Sequence, residues 1–188
     1  LTLSDPLRAS IIEREHGFKG WSISGTPVDC VKLAIRSLMG DMPDVLISGI
    51  NHGANLGNNI MYSGTVSAAA EGMIMGIPSI AISLASYKTD NYDVSKKFAK
   101  KIVEKVIANG IPKDILLNVN VPYCNEDQIK GVRITRQGSQ YFVDEFEERI
   151  DPRNGNYFWI KGKMIDVDKS IEFDGAAIKE NYVSITPI

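Results

Sequence analysis

The chain has 188 residues, 44% of them hydrophobic, a length that supports one sizeable core and does not require two, so residues 1–188 are read as a single domain. Its 21 basic and 23 acidic residues are mixed along the sequence and leave a net charge of -2, which argues against a nucleic-acid duplex or an anionic membrane surface as partner. No apolar run approaches a membrane span and no basic-then-apolar leader opens the chain, so a soluble cytoplasmic protein is expected; Cys30 and Cys124, without CxxC spacing, read as unpaired thiols of a reducing compartment.

The first residues, LTLSDPLRA, read as the middle of a strand. From Gly25, GTPVDCVKLAIRSLM carries the chemistry of a helix start, with Thr26 as N-cap, Pro27 at the first helical position and Asp29 in the positive first turn. PDVLISG is a short apolar run that suits a strand buried on both faces. A long polar loop follows and leads through Ser63-Gly64-Thr65 into a helix, GTVSAAAEGMIMG. SIAISL reads as a second buried strand. DVSKKFAKKIVEKVIANG reads as a helix with Val94, Phe98, Ile102, Val103, Val106 and Ile107 towards the core and Gly110 as its stop. ILLNVNVP is then a third strand. Strands alternating with helices predict an α/β, three-layer, Rossmann-like, mostly parallel sheet, with ligands at the carboxyl ends of its strands. Beyond Pro122, IKGVRITRQ and the final YVSITPI read as strands. Between them QYFVDEFEERIDPRNGNYFWIKGKMID is aromatic, charged and hairpin-like around Asn154-Gly155, an oligomerisation arm or a plain surface hairpin. The organisation is thus a core over 1–122 and an extension over 123–188 with the arm and a last strand.

The segment from Ser48 to Thr65, SGINHGANLGNNIMYSGT, concentrates asparagines, glycines and hydroxyls at the end of an apolar strand. Such a loop buries little apolar surface, but it brings backbone N–H groups and amide oxygens towards an anion or a hard cation. The Asn51 side-chain oxygen is a legitimate neutral ligand for Mg2+ or Mn2+. Ser63, Gly64 and Thr65 open a helix whose first N–H groups are unpaired and suit a phosphate. The competing reading makes Ser63 and Thr65 ordinary caps and the asparagines turn residues.

Taken together, GTPVDCVKLA, PDVLISGINHGANLGNNIMYSGTVSAAAEG, GIPSIAISL, LLNVNVP, ITRQG and YVSITP resemble the SurE (survival protein E) family over nearly the whole chain and in the same order. The resemblance implies hydrolysis of nucleoside 5'-monophosphates, with 3'-monophosphates and short polyphosphate as further substrates, by a homodimer or homotetramer that uses one divalent metal ion, Mg2+ or Mn2+. It implies that Asn51 completes the metal site and that Asn55, Ser63, Gly64 and Thr65 line the phosphate pocket. It also implies that the arm from about Tyr141 to Asp166 serves assembly. The family's Asn-Asp-Asp-Gly motif and a following serine have no match here, so the expectation is that the first strand-helix-strand unit is missing and that the catalytic groups are not in this chain.

His52 is a candidate for contact with the substrate edge. Asp29 and Asp44 are assigned capping and turn roles rather than a catalytic pair, Glu71 a structural hydrogen bond, and Arg136 an unplaced attraction for phosphate. The rival function is a nucleotide- or phosphate-binding or scaffold module that grips without cleaving.

Overall fold

The computed structural model describes residues 1–188, the side chain of His16 excepted. The first eight residues are extended coil, not strand. Instead, Ala9–Arg14 (β1) and Phe18–Ile23 (β2) pair antiparallel as a hairpin that the sequence reading did not anticipate. Ser4-Asp5-Pro6 interrupts the strand expected at Leu1, because proline restricts its own backbone and that of its neighbour.

The helix Pro27–Leu33 (α1) starts as its chemistry demands. Thr26 Oγ1 accepts from Asp29 N at 3.3 Å, and Asp29 Oδ2 accepts from Thr26 N at 2.8 Å, a reciprocal capping box. Asp29 is buried and also accepts from the Thr2 hydroxyl at 2.7 Å. Hydrogen bonds from the Thr2 side chain first, and then from Thr26, hold its carboxyl well below the usual carboxylate range.

The central sheet runs Leu46–His52 (β3), Ser79–Ala85 (β4), Leu116–Pro122 (β5), then Tyr182–Pro187 (β9) and Gly131–Ile134 (β6) at the far edge. β3, β4 and β5 are parallel, β9 is antiparallel to β5, and β6 is parallel to β9. The strand expected to be buried on both faces, β3, lies at a sheet edge with Ile47 46% exposed, because β4 is its sole neighbour in the sheet among the described residues. The helices Gly64–Ile74 (α2) and Asp93–Asn109 (α3) connect β3 to β4 and β4 to β5.

Side-chain parity puts those helices on opposite faces. Ile80, Ile82, Val119 and Val121 pack with Ile102 and Val106 of α3, whereas Ala81 and Leu116 pack with Val66 and Ala69 of α2. Two crossovers that step in the same direction with helices on opposite faces have opposite hands, so one of them departs from the usual right-handed connection. Ile107, expected in the core stripe of α3, is 62% exposed. The buried line of that helix follows the four-residue spacing Phe98, Ile102, Val106, and Ile107 turns about 100° away from it.

The two faces of the sheet differ chemically. The α3 face is apolar, while the α2 face carries Ser79, Ser83, Asn118, Asn120, Ser184 and Thr186, all fully buried. Beyond the sheet, Tyr141–Ile150 (β7) and Asn156–Ile165 (β8) pair, among the described residues, only with each other as the anticipated hairpin. Its five-residue turn is organised by the Asp151 carboxylate, which accepts from Arg153 N and Gly155 N. The short helix Asp174–Lys179 (α4) then precedes β9. Among the described residues no helix is long and apolar enough to cross a membrane. Both cysteines are free and partly buried.

Asp29 has a depressed folded pKa, so its contribution to stability is complete above the unfolded value of about 4 and is lost as pH falls through the folded value. Asp29→Asn is expected to be less stable than the parent at pH 7, with the gap closing progressively as denaturant melts are repeated below pH 4. A gap that stays constant down to pH 2.5 would mean that the charge of Asp29 is not what stabilises the helix start.

Candidate active site

β3 delivers the loop, and a register shift decides which way its end faces. Ser48 pairs with Ala81, but Asn51 pairs with Ser83, so β3 spends one residue more than β4 over this stretch. The shift passes through Gly49, whose φ of +123° and closeness to Ile82 O, 2.2 Å from where a Cβ would stand, admit only glycine. In a regular ladder Asn51 would oppose Leu84 on the α3 face. The extra residue puts it opposite Ser83, on the face where α2 begins.

There Asn51 meets the start of α2. Asn51 Nδ2 donates to Gly53 O at 2.9 Å, which fixes the amide so that Oδ1 accepts from Thr65 Oγ1 at 3.2 Å. Ser63 is the N-cap of α2, its Oγ accepting from Val66 N at 3.1 Å. The N–H groups of Gly64 and Thr65 have no intrahelical acceptor and point out of the positive helix end. A Cβ on Gly64 would stand 3.1 Å from Pro27 Cγ, so this glycine also lets α1 and α2 approach closely.

Asn55 sits differently. It is buried, its Nδ2 donates to Ser83 Oγ at 2.8 Å, and its backbone is gripped from below. Asn120 Oδ1 accepts from Asn55 N at 2.8 Å, and both Asn120 Nδ2 (3.0 Å) and Asn118 Nδ2 (2.9 Å) donate to Asn55 O. Two residues on, Gly57 N donates to Asp174 Oδ2 at 2.9 Å, while Asp174 Oδ1 accepts from Gly138 N and Gly175 N. Burial pushes the Asp174 carboxyl up, against these backbone hydrogen bonds that pull it down.

Asn51 Oδ1 has the right chemistry for a hard divalent cation, but a single neutral oxygen does not hold one. Among the described residues no group of three or more His, Cys, Asp or Glu side chains is placed for a metal ion. The residues described thus supply one donor, not a complete site. Asp29 is engaged in the α1 cap, Asp44 lies in an exposed bend before β3, and Glu71 pairs with Lys32 at 2.5 Å. Arg136 bonds through its backbone to Glu172 and Asp174.

The family model described as "Survival protein SurE" matches residues 1–144. The chain belongs to the SurE family. A protein of Trichormus variabilis named "5'-nucleotidase SurE" is 47% identical over 199 aligned residues, covering 100% of this chain and 75% of the relative. Another of that name from Thermosipho africanus is 47% identical and is covered over 74% of its length. The crystal structure of the SurE protein from Aquifex aeolicus superimposes with a TM-score of 0.82 at 39% identity, covering 100% of this chain and 75% of that one. The fold and family expected from the sequence are therefore those found.

In this SurE chain the structure gathers Asn51, Ser63, Gly64 and Thr65 at one helix mouth, keeps Asn55 beneath the loop, and leaves His52 exposed at its rim. Ser83, Asn118, Asn120 and Asp174 escaped the sequence reading. The signal was present in LLNVNVP, where two asparagines interrupt a run of branched apolar residues in a central strand, a placement that demands partners. Asn120→Ala leaves the buried Asn55 N–H unpaired and is expected to cost about 1–3 kcal/mol in urea unfolding. A change below a few tenths of a kcal/mol would show that the loop does not depend on this grip.

Proposed function

We propose that this chain binds and orients nucleoside 5'-monophosphates for hydrolysis to nucleoside and phosphate, with 3'-monophosphates and short polyphosphate as further substrates. The observation that carries the reading is the meeting of Asn51 Oδ1 with Thr65 at the mouth of α2, in a chain 47% identical to proteins named for this activity. Phosphoryl oxygens are received by the N–H groups of Gly64 and Thr65, where the helix dipole favours negative charge. The Thr65 hydroxyl, whose one proton goes to Asn51 Oδ1, orients that amide beside them. Ser63 Oγ accepts from Val66 N and still has its own proton to give. Asn55 acts by holding the loop in place, and His52 meets the leaving-group side.

Asn51 fits as one ligand of a divalent cation, Mg2+ or Mn2+, which when bound neutralises phosphoryl charge and lowers the pKa of a bound water. The second reading, binding without cleavage, is favoured by one observation: among the described residues no carboxylate cluster stands beside Asn51. Phosphate release from AMP and GMP with Mg2+ or Mn2+ separates the two. Turnover that requires the metal supports hydrolysis, and tight nucleotide binding without turnover favours the binding module. Thr65→Val removes the hydroxyl that holds the Asn51 amide and is expected to lower kcat/KM about 10- to 100-fold. Unchanged kinetics would return this turn to the status of an ordinary helix start.

Assembly as a homodimer or homotetramer through the arm belongs to the same proposal, and exposed apolar side chains support it. Phe146 and its cross-strand partner Ile160 are 66% and 64% exposed, and the exposed Phe158 shares their face of the hairpin. The double change Phe146→Asp and Ile160→Asp is expected to shift sedimentation from oligomer to monomer. An unaltered distribution would move the interface elsewhere.

A further inference from the structure

Three rings gather beside Asn51 without any part in the phosphate site. His52, the residue after it, has its ring centroid 5.8 Å from that of Tyr87 at 52°, and 6.4 Å from that of Tyr92 at 65°. Tyr87 is 75% exposed, yet it is held in place. Its ring lies directly on Gly53, where a Cβ would stand 2.2 Å from Cε1 and Cζ, and Gly53 has a φ of +105° that favours glycine. The same Gly53 presents the carbonyl that fixes the Asn51 amide. One loop residue therefore sets both the metal-facing oxygen and the position of an exposed aromatic ring.

The loop carrying Tyr87 and Tyr92 is tied down by side-chain turns, with Lys88 N donating to Ser86 Oγ and Asn91 N to Thr89 Oγ1. Leu84, the ladder partner of His52, and Asn91, the residue before Tyr92, line a cavity of about 290 Å3 together with Ser95 and Asn125. Ser95 Oγ is fully buried there and has no hydrogen-bond partner. A large exposed ring packed on Gly53, two residues from Asn51, and against His52 suits a flat, heteroaromatic group with polar edges better than it suits solvent.

We propose that Tyr87, flanked by His52 and Tyr92, is the stacking platform for the heteroaromatic base of a nucleotide whose phosphate is held at Ser63–Thr65. This rests on the nucleotide reading above and adds to it the residues that distinguish a nucleotide from a phosphorylated sugar without a base. Stacking is tolerant of base identity, so the platform selects for an aromatic aglycone rather than for one base.

The test compares AMP with ribose 5-phosphate, which keeps the sugar and the phosphate and lacks the base, by titration calorimetry on the whole chain with Mn2+ present. The parent is expected to prefer AMP, and Tyr87→Ala is expected to reduce that preference about 5- to 150-fold. Tyr87→Phe keeps the ring and is expected to restore the preference. Equal binding of the two ligands by the parent, or a preference that Tyr87→Ala leaves intact, overturns the platform. So does an equal loss for both ligands, which would assign Tyr87 a purely structural role. Phosphate release is followed in parallel, so that a base preference without turnover supports the platform while removing the hydrolytic reading.

Discussion

The arrangement depends on how one buried polar surface is satisfied. Asn118 and Asn120 stand in a central strand on the α2 face of the sheet, where water does not reach them, and an unpaired amide there is costly. The backbone of Asn55 pairs both polar atoms of the Asn120 amide and the Asn118 Nδ2, with Ser83 taking the side chain of Asn55, while Asn118 Oδ1 has no partner among the described residues. The polar face therefore pulls the loop across the carboxyl end of the sheet and fixes it at one residue. Apolar packing could not specify that position as narrowly, because dispersion contacts are nearly indifferent to small slides, whereas paired N–H and C=O groups are not.

From that anchor the constraint runs outward in two directions. Towards the C-terminus, Gly57 reaches the buried Asp174 carboxylate, which also accepts from Gly138 and Gly175. One charge thus ties the loop to the segment before β7 and to the start of α4, and its raised pKa reflects burial that three backbone donors only partly offset. Towards the N-terminus, Gly53 N donates to Leu84 O, and Gly53 O holds the Asn51 amide. The loop is pinned on both sides of Asn55, which suits a segment that must present small polar groups without a hydrophobic core of its own.

Much of this could be read from residue order. Thr26-Pro27 and Asp29 determine the start of α1 by local chemistry, and Ser63 caps α2 for the same reason, so neither needed tertiary information. The alternation of elements was legible because β4 and β5 are short, mainly apolar runs bounded by turn residues and α3 keeps a helical stripe. What escaped were features set by neighbours distant in sequence. Edge or centre for β3 depends on which strands flank it, and its apolar run looks the same in either place. The β1–β2 hairpin lacks a strong turn signal at Glu15-His16-Gly17. Asp174 lies 117 residues from Gly57, and no spacing rule links them.

The register shift in β3 is the clearest case of structure deciding chemistry that residue types leave open. Asn51 is a competent ligand in any conformation, but a strand of strict period two would send Ile50 to the α2 face and Asn51 to the apolar one. With the shift, Ile50 packs on the α3 core and Asn51 pairs with Ser83. One additional residue, made feasible by Gly49, thus improves packing on one face and polarity on the other. It also explains why the amide and the α2 mouth face each other across 3.2 Å although they lie 14 residues apart. His52 then falls opposite Leu84 at the rim, beside the aromatic loop. The same shift therefore sends successive residues to different surroundings, Ile50 to the core, Asn51 to the mouth of α2, and His52 to the rings.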